Sequence, residues 1–250
     1  MTHHATAGAF LGISGTLWFV LVTLAAVAGI AWSLNRKIQL VMAGRGGVPL
    51  DRWGTRVKDV LVYAIGQKRM FREPVAGIMH ALIFWGFLVF AVRSLSLVVE
   101  GFAKGWELPF LHTPVGWAYL LTKDVFAVLV LLGIAIAAWR RLVTRPARLE
   151  LSADAGVIRG LIAALAVIAL LAAGARIAGG APGPWTWTPF SSLVGGWLGG
   201  TAESTLRAVY ATSWWVHALA LYLFANYLPY SKHFHVYTSL PNVFLRPLDP

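Results

Sequence analysis

The sequence predicts an all-α membrane protein in which five transmembrane helices form a bundle. Of its 250 residues, 58% are hydrophobic and only 12% are charged, whereas a soluble domain carries about 25% charged residues. Five apolar segments are each long enough to cross about 30 Å of hydrocarbon as a helix of about 20 residues. We place these spans at 9–34, 75–99, 115–139, 157–179 and 206–230.

Basic residues are concentrated in two of the four predicted loops, and their placement predicts the topology. The loop after the first span contains Arg36, Lys37, Arg45, Arg52, Arg56, Lys58, Lys68, Arg69 and Arg72, and the loop after the third contains Arg140, Arg141, Arg145 and Arg148. Because Lys and Arg are enriched in cytoplasmic loops, we expect the N-terminus outside and the C-terminus in the cytoplasm. This distribution accounts for most of the formal charge of +11, so the charge does not indicate nucleic-acid binding.

The connecting segments have distinct compositions. The segment 51–71 sets apolar residues against basic ones, which predicts an amphipathic cytoplasmic segment lying flat on the inner membrane surface. The outer segment 180–201 is rich in Gly, Pro and Trp, and we expect it to fold over the helix ends with some helix around 191–198. We find no sequence repeat and no internal domain boundary, so we treat 1–250 as a single membrane domain.

Two histidines, His80 and His217, fall inside predicted spans. An ionisable residue in a membrane is a functional hypothesis by default, and the plain alternative is a neutral histidine bonded to a neighbouring helix. His235 follows His217 by eighteen residues, so a regular helix would place both on one face, ~27 Å apart, with His233 about 160° away. Pro229 lies between them and disfavours a regular helix. The spacing suits two stacked haems, each with two axial ligands.

The remaining histidines and the glycine near His80 complete this interpretation. Gly77 precedes His80 by one turn, where a missing side chain would let a flat macrocycle approach. His3 and His4 lie at the outer terminus, and we expect no role for them. His112 lies in the second outer loop. The chain has no Cys, so it cannot hold an iron–sulfur cluster by the usual thiolate ligation.

Two stretches carry a family resemblance. "GQKRMFREPVAGIMHALIFWGF" (66–87) resembles the start of the second membrane helix in the cytochrome b domain of heterodisulfide-reductase-like iron–sulfur proteins. That group includes the quinone oxidoreductases that serve electron-transfer flavoprotein. "LPYSKHFHVYTSLPNVFLRPLDP" (228–250) resembles the seam between the cytochrome domain and its iron–sulfur domain. The chain from residue 66 onward is also similar, more distantly, to the gamma subunit of respiratory nitrate reductase, a five-helix dihaem cytochrome b.

The resemblance implies axial ligands for haem b, residue by residue. His80 matches the first histidine on the gamma subunit's second helix, and His217 and His235 match the pair on its fifth helix. By this resemblance His80 and His235 would ligate the inner haem. The family's other ligand falls on Phe90, which cannot bind iron.

This departure leaves the number of haems, one or two, open. Either His112 reaches down as a substitute ligand for an outer haem, or a single haem pairs His80 with His217. A bend at Pro229 would exchange the roles of His235 and His233, which makes His233 an alternative ligand.

Four charged residues lie in or near the outer half of the predicted spans. They are Arg93, Lys123, Asp124 and Arg176. The plain interpretation is an Arg93–Asp124 ion pair with Lys123 extending toward the interface. The functional one makes Arg93 and Arg176 partners of haem propionates, and Lys123 and Asp124 a quinone-binding or proton-relay pair. The resemblance to the gamma subunit favours Lys123 near a quinol.

These observations and the resemblance together predict an electron-transfer subunit in the cytoplasmic (inner) membrane of a prokaryote. It would pass electrons between menaquinone or ubiquinone and a cytoplasmic iron–sulfur partner of the heterodisulfide-reductase type, and the resemblance also suggests electron-transfer flavoprotein as a partner. The segment 51–71 and the tail 231–250 would form the partner's docking surface. The rival class is a haem-free membrane anchor or small transporter, but a transporter favours broken helices near the midplane and internal repeats, which we do not find.

Overall fold

The structure is a computed structural model that describes residues 4–44, 47, 50–146 and 152–248. His3, Arg45, Arg148 and the last two residues of the predicted tail lie outside the described residues. Within the described residues the chain forms one two-stranded hairpin and eight α-helices. Their bounds are β1 Ala9–Phe10, β2 Ile13–Ser14, α1 Gly15–Met42, α2 Trp53–Asp59, α3 Pro74–Phe102, α4 Pro114–Trp139, α5 Ala153–Ala178, α6 Pro189–Trp197, α7 Glu203–Tyr227 and α8 His235–Phe244.

Five of the described helices are long and apolar enough to cross a membrane, as the sequence predicted. They are α1, α3, α4 with its extension to Thr144, α5, and α7 with its extension to Tyr230. The first begins at Gly15 rather than at residue 9, because residues 9–14 form the antiparallel hairpin β1–β2. Ser14 then caps α1, since its hydroxyl oxygen accepts a hydrogen bond from the Leu17 N–H at 3.2 Å.

Successive spans alternate in direction, so the chain begins at one end of the bundle and finishes at the other. At the N-terminal end, the Trp215 indole N–H donates to the Ala5 carbonyl at 3.2 Å. At the C-terminal end, the Lys232 N–H donates to the Asp154 carboxylate at 2.9 Å. The basic connecting segments lie at the C-terminal end. Which end faces the cytoplasm stays a prediction.

Small residues let the spans pack closely. Gly86 of α3 lies so near Val130 of α4 that a Cβ at this position would overlap the valine side chain. A Cβ at Gly174 of α5 would likewise overlap the side chain of Val194 of α6. In lipid, apolar surface gives no drive for helices to associate, so close van der Waals packing of this kind contributes much of the stability. At the N-terminal end, Phe19 of α1 is fully buried against Trp214 of α7.

The segments between the spans follow the predicted pattern in part. α6 lies within the outer segment where partial helix was expected. The segment 51–71 contains α2, which is clamped to the tail. The Arg56 side chain is 1% exposed and donates hydrogen bonds to the Phe244 and Arg246 carbonyls at 2.7 and 3.0 Å. Asp59 of α2 in turn pairs with the Arg246 side chain.

The helix does not run on regularly from His217 to His235, and the break lies at Pro229, where the sequence allowed a bend. α7 ends at Tyr227 and is followed by 3₁₀ turns at Leu228–Tyr230 and Lys232–Phe234, and α8 begins at His235. Pro229 cannot donate a helical hydrogen bond, and Ser231 is extended, with its hydroxyl accepting from the His233 N–H at 3.0 Å. The five-turn register that placed His217 and His235 on one helix face is therefore wrong.

Candidate functional site

Three histidines meet at the C-terminal end of the bundle, although they come from distant parts of the chain. His80 lies in the second turn of α3, and His235 is the first residue of α8. Their ring centroids are 6.3 Å apart, with the ring planes 34° from parallel. The His233 ring centroid is 5.9 Å from that of His235. We call His80, His233 and His235 the histidine cluster.

A buried glutamine orients the His80 ring. The Nδ1 atom of His80 is 3.1 Å from the Oε1 atom of Gln67, whose side chain belongs to a residue only 3% exposed. Because an amide oxygen accepts hydrogen bonds and does not donate them, this contact places the imidazole proton on Nδ1. The Nε2 lone pair of His80 is then left for a ligand, which is the arrangement in which histidines bind metals.

The separation of His80 and His235 fits one iron between the two rings. A metal–imidazole nitrogen bond is about 2 Å long. Two such bonds, together with the distance from each bonded nitrogen to its ring centre, put the centroids of two rings on opposite sides of one metal about 6 Å apart. The observed centroid distance of 6.3 Å meets this requirement. Within the described residues no group of three or more His, Cys, Asp or Glu side chains could hold a metal ion, but a haem iron needs only two axial ligands from the protein.

His233 lies beside His235 and does not point away from it. Its Nδ1 atom is 3.7 Å from the Asp154 carboxylate of α5. Burial lowers the pKa of His233, the neighbouring His235 lowers it further, and Asp154 opposes both effects. The expected 160° separation was wrong because the helix is broken before Lys232.

Gly77 does not open a space for a macrocycle beside His80. A Cβ at Gly77 would lie 2.6 Å from the Met70 carbonyl oxygen. The 3₁₀ turn Met70–Arg72 therefore fills the space that the missing side chain leaves. Gly77 serves the close packing of this turn on α3, and the predicted role in admitting haem is wrong.

A second polar region lies toward the N-terminal end, around a cavity of about 130 Å³. Four spans contribute Arg93, Lys123, Arg176, Tyr210, Ser213 and His217 to its polar lining, and the connecting segments contribute Glu107, His112 and Thr188. Apolar side chains, including Leu97, Ile168 and Trp214, cover the rest of the wall. Sites that enclose drug-sized ligands have volumes of about 300–1,000 Å³, so this cavity suits a single small ring better than a porphyrin. We call it the N-terminal cavity.

His217 belongs to the N-terminal cavity and not to the histidine cluster. Its Nε2 atom is hydrogen-bonded to Ser94 Oγ at 3.1 Å, in a buried position. Ser94 follows His80 by fourteen residues along α3, which is a rise of ~21 Å. His80 and His217 therefore cannot ligate the same iron, and the alternative of one haem held by this pair is excluded.

Asp124 is engaged by backbone and not by the expected arginine. Its carboxylate is fully buried and accepts hydrogen bonds from the Phe190 N–H at 2.6 Å and from the Ser191 N–H at 3.2 Å. These N–H groups begin α6, where a helix favours negative charge. Arg93 instead donates to Ser96 Oγ at 2.8 Å. The expected Arg93–Asp124 ion pair is therefore wrong.

The other residues predicted at the N-terminal end differ in exposure and in contacts. Lys123 is buried at 7% exposure and lines the N-terminal cavity. Arg176 lies 3.8 Å from Glu107 and packs its guanidinium over the Trp185 ring. His112 lines the same cavity as His217, but its side chain is 73% exposed and lies 3.0 Å from Glu107.

Sequence reasoning gave no role to three residues at the N-terminal end, which are His4, Glu100 and Tyr210. Glu100 is 8% exposed, and it lies between His4, Arg93 and Tyr210 at 3.6, 3.7 and 3.4 Å respectively. Glu100 follows Arg93 by seven residues, or two helical turns, and that spacing was a usable signal. Nothing in the sequence around His4 indicated that the N-terminal segment would fold back onto the bundle.

Comparison with known proteins gives two relatives along most of the chain. The "Probable iron-sulfur-binding oxidoreductase FadF" of Bacillus subtilis (strain 168) is 26% identical over 237 residues, which are 95% of this chain and 33% of that protein. The "EtfAB:quinone oxidoreductase" of Syntrophomonas wolfei is 25% identical over 245 residues, which cover 93% of this chain and 34% of that protein. The chain thus spans about a third of the length of these curated relatives. No family model matches the chain, and no solved structure does so significantly. These likenesses support a relationship to oxidoreductases.

Proposed function

We propose that the chain is a b-type cytochrome membrane subunit that transfers electrons between a quinone in the lipid and an iron–sulfur partner. The observation that carries this proposal is the pairing of His80 and His235 at a ring separation that suits one iron. The names of the two relatives, an iron–sulfur-binding oxidoreductase and a quinone oxidoreductase, agree with it. The five membrane-type helices supply the scaffold.

His80 and His235 are the residues that would hold haem b. Haem b supplies one-electron redox chemistry when bound, and the protein sets its potential through the axial ligands and their hydrogen bonds. The Gln67 amide fixes the His80 tautomer and ring orientation. Arg93 lies thirteen residues beyond His80 on α3, a rise of ~20 Å, so neither it nor Arg176 at the N-terminal end is placed for the propionates of a haem at the histidine cluster.

The N-terminal cavity is the proposed site for the quinone head group. A quinone carbonyl needs hydrogen-bond donors, and the Lys123 ammonium and the His217 ring line the cavity. The remaining lining is largely apolar, as an isoprenoid-bearing ring requires. Asp124 is not part of the proposed quinone site, because its carboxylate is bonded to the first N–H groups of α6. The quinone is menaquinone or ubiquinone.

The C-terminal end is the proposed docking surface for the iron–sulfur partner. The relatives are about three times as long as the aligned region, and this chain has no Cys with which to hold a cluster. α2 is clamped to the end of α8 opposite His235, and the two helices expose Trp53, Val57 and Leu240. Crosslinkers placed at these positions should capture the partner, or electron-transfer flavoprotein, while crosslinkers on the N-terminal hairpin should not. The opposite pattern would invert the topology.

The haem content of the purified protein tests the proposed function. We expect a reduced b-type absorption spectrum and one haem per chain, because the histidine cluster brings histidine rings from two elements to within 6.3 Å, whereas His217 is bonded to Ser94. A colourless protein would contradict the proposal and favour a haem-free anchor or transporter. Two haems per chain would return His217 to the role of an axial ligand.

A further inference from the structure

We propose that Tyr210, Glu100 and His4 form a proton path between the N-terminal cavity and the surface at the N-terminal end. This inference rests on the proposed function, because it assigns the path to protons exchanged with a quinone in that cavity. It concerns residues that do not touch the histidine cluster. The N-terminal segment, for which no role was expected, supplies one of the three groups.

The path begins at the cavity wall. Tyr210 of α7 lines the N-terminal cavity, and its hydroxyl donates to Glu100 Oε1 at 3.4 Å. Glu100 is buried near the end of α3 with its other carboxylate oxygen 3.7 Å from Arg93 Nη2. A buried carboxylate is costly unless it is well paired, and within the described residues Glu100 Oε2 has no hydrogen-bond partner.

The path continues through the His4 ring. His4 Nε2 lies 3.6 Å from Glu100 Oε1, and it too lacks a hydrogen-bond partner within the described residues. On the other side of the ring, His4 Nδ1 is 2.9 Å from Thr6 Oγ1. An imidazole with different partners on its two nitrogens can accept a proton on one and release it from the other. Acid–base contacts are often this long before the substrate binds.

The N-terminal segment is built to hold His4 in place. Thr6 is 1% exposed, and Thr16 Oγ1 donates a hydrogen bond to its hydroxyl at 3.3 Å. Thr16 is half-buried, so this hydrogen bond continues the series of polar groups toward the surface. Trp214 packs edge-on against the His4 ring, with centroids 6.1 Å apart. The first residues of a domain are usually poorly ordered unless they are tied down, and this segment is tied to α7, α1 and α3.

The chemistry at the cavity balances with this path. Oxidation of a quinol breaks two O–H bonds, gives two electrons to the haem and the iron–sulfur partner, and releases two protons. Reduction of the quinone reverses each change. His4, Arg93 and Tyr210 are the titratable and charged groups that contact Glu100 within the described residues, and the apolar Phe19 of α1 packs against the next residue, Gly101. Glu100 and His4 are thus the groups that would take up or release the protons.

Reduction of the bound haem by menadiol, measured with the membrane-purified protein in proteoliposomes, tests the path. We expect Glu100→Gln and His4→Ala to lower the rate of haem reduction at saturating menadiol by about 10²-fold, the usual contribution of general acid–base groups, with the menadiol concentration at half-maximal rate little changed. Imidazole added to the buffer should restore the rate of His4→Ala, and Glu100→Asp should retain most of the activity. Glu203→Gln removes an exposed carboxylate at the same end and is the matched control.

The outcomes separate the path from the proposed function. Dithionite reduces haem without quinol, so all variants should keep the wild-type dithionite spectrum. If they do and the menadiol rates of Glu100→Gln and His4→Ala equal that of wild type, the path is wrong and the proposed function stands. If His4→Ala is slow and imidazole gives no recovery, His4 has a structural role only and the path is also wrong. A wild-type protein without haem overturns both.

Discussion

The imidazole rings of His80 and His235 lie with their centroids 6.3 Å apart, although one belongs to the second turn of α3 and the other begins α8. Two further features hold them there. Gln67 fixes the His80 ring from one side, and the Arg56 clamp holds the far end of α8 against α2. The pairing is therefore built by the segments between the spans as much as by the spans themselves.

Replacing Gln67 should change the haem without removing His80. Gln67→Leu removes the acceptor for the Nδ1 proton, and loss of such a partner usually lowers metal affinity by about 10–100-fold. The iron potential should rise, because the ligand becomes less basic. Gln67→Glu should lower the potential, since a carboxylate accepts that proton more strongly. Redox titration of the two variants measures this, and shifts of the same sign in both would contradict the assigned hydrogen bond.

Replacing Asp124 should destabilise the fold without removing quinone chemistry. Asp124→Ala leaves the Phe190 and Ser191 N–H groups buried without an acceptor, at a cost of about 3 kcal/mol. Asp124→Asn keeps one acceptor oxygen and should cost less. Thermal unfolding in detergent, followed beside menadiol oxidation at low temperature, separates the two effects. A stable Asp124→Ala protein that no longer oxidises menadiol would restore Asp124 to the quinone site.

Replacing Arg56 should loosen α8 and weaken haem binding from a distance. Arg56→Ala deprives the Phe244 and Arg246 carbonyls of their buried donor. We expect faster proteolysis after Phe244 and a lower haem content, because His235 is the first residue of the same helix. Arg52→Ala is the control, because the Arg52 side chain is 44% exposed and pairs with Asp51, which is also a partner of Arg56. Equal proteolysis rates in the two variants would show that the clamp does not position α8.

The five long apolar helices could be predicted from the sequence because length and apolar composition are local properties of the chain. Gly86 and Gly174 show what could not be predicted, since their partners Val130 and Val194 depend on which helices pack together. The sequence predicted the helix break after Tyr227 only in part. Pro229 indicated a bend, but Ser231 and the capping of Lys232 by Asp154 from another helix decided where the next helix starts.

The candidate site was predicted in its residue types more than in its geometry. His80 and His235 were expected to pair through a family resemblance, and the structure brings them together by a broken helix and not by the five-turn register. Asp124 is of a residue type that can relay protons. Its carboxylate instead accepts a hydrogen bond from the first turn of α6, more than sixty residues further along the chain. His4 carried no pattern at all, because its contact with Glu100 depends on a terminal segment folding back.

Reduced-minus-oxidised spectra of three single variants test the central claim most directly. His80→Ala and His235→Ala each remove an axial ligand, so both should lose the b-type signal while the chain still inserts into the membrane. His233→Ala should leave the spectrum nearly unchanged, since its ring lies beside the pair and faces Asp154. Full haem retention in His80→Ala or His235→Ala, or loss of haem in His233→Ala alone, would contradict the assignment of His80 and His235 as the two ligands.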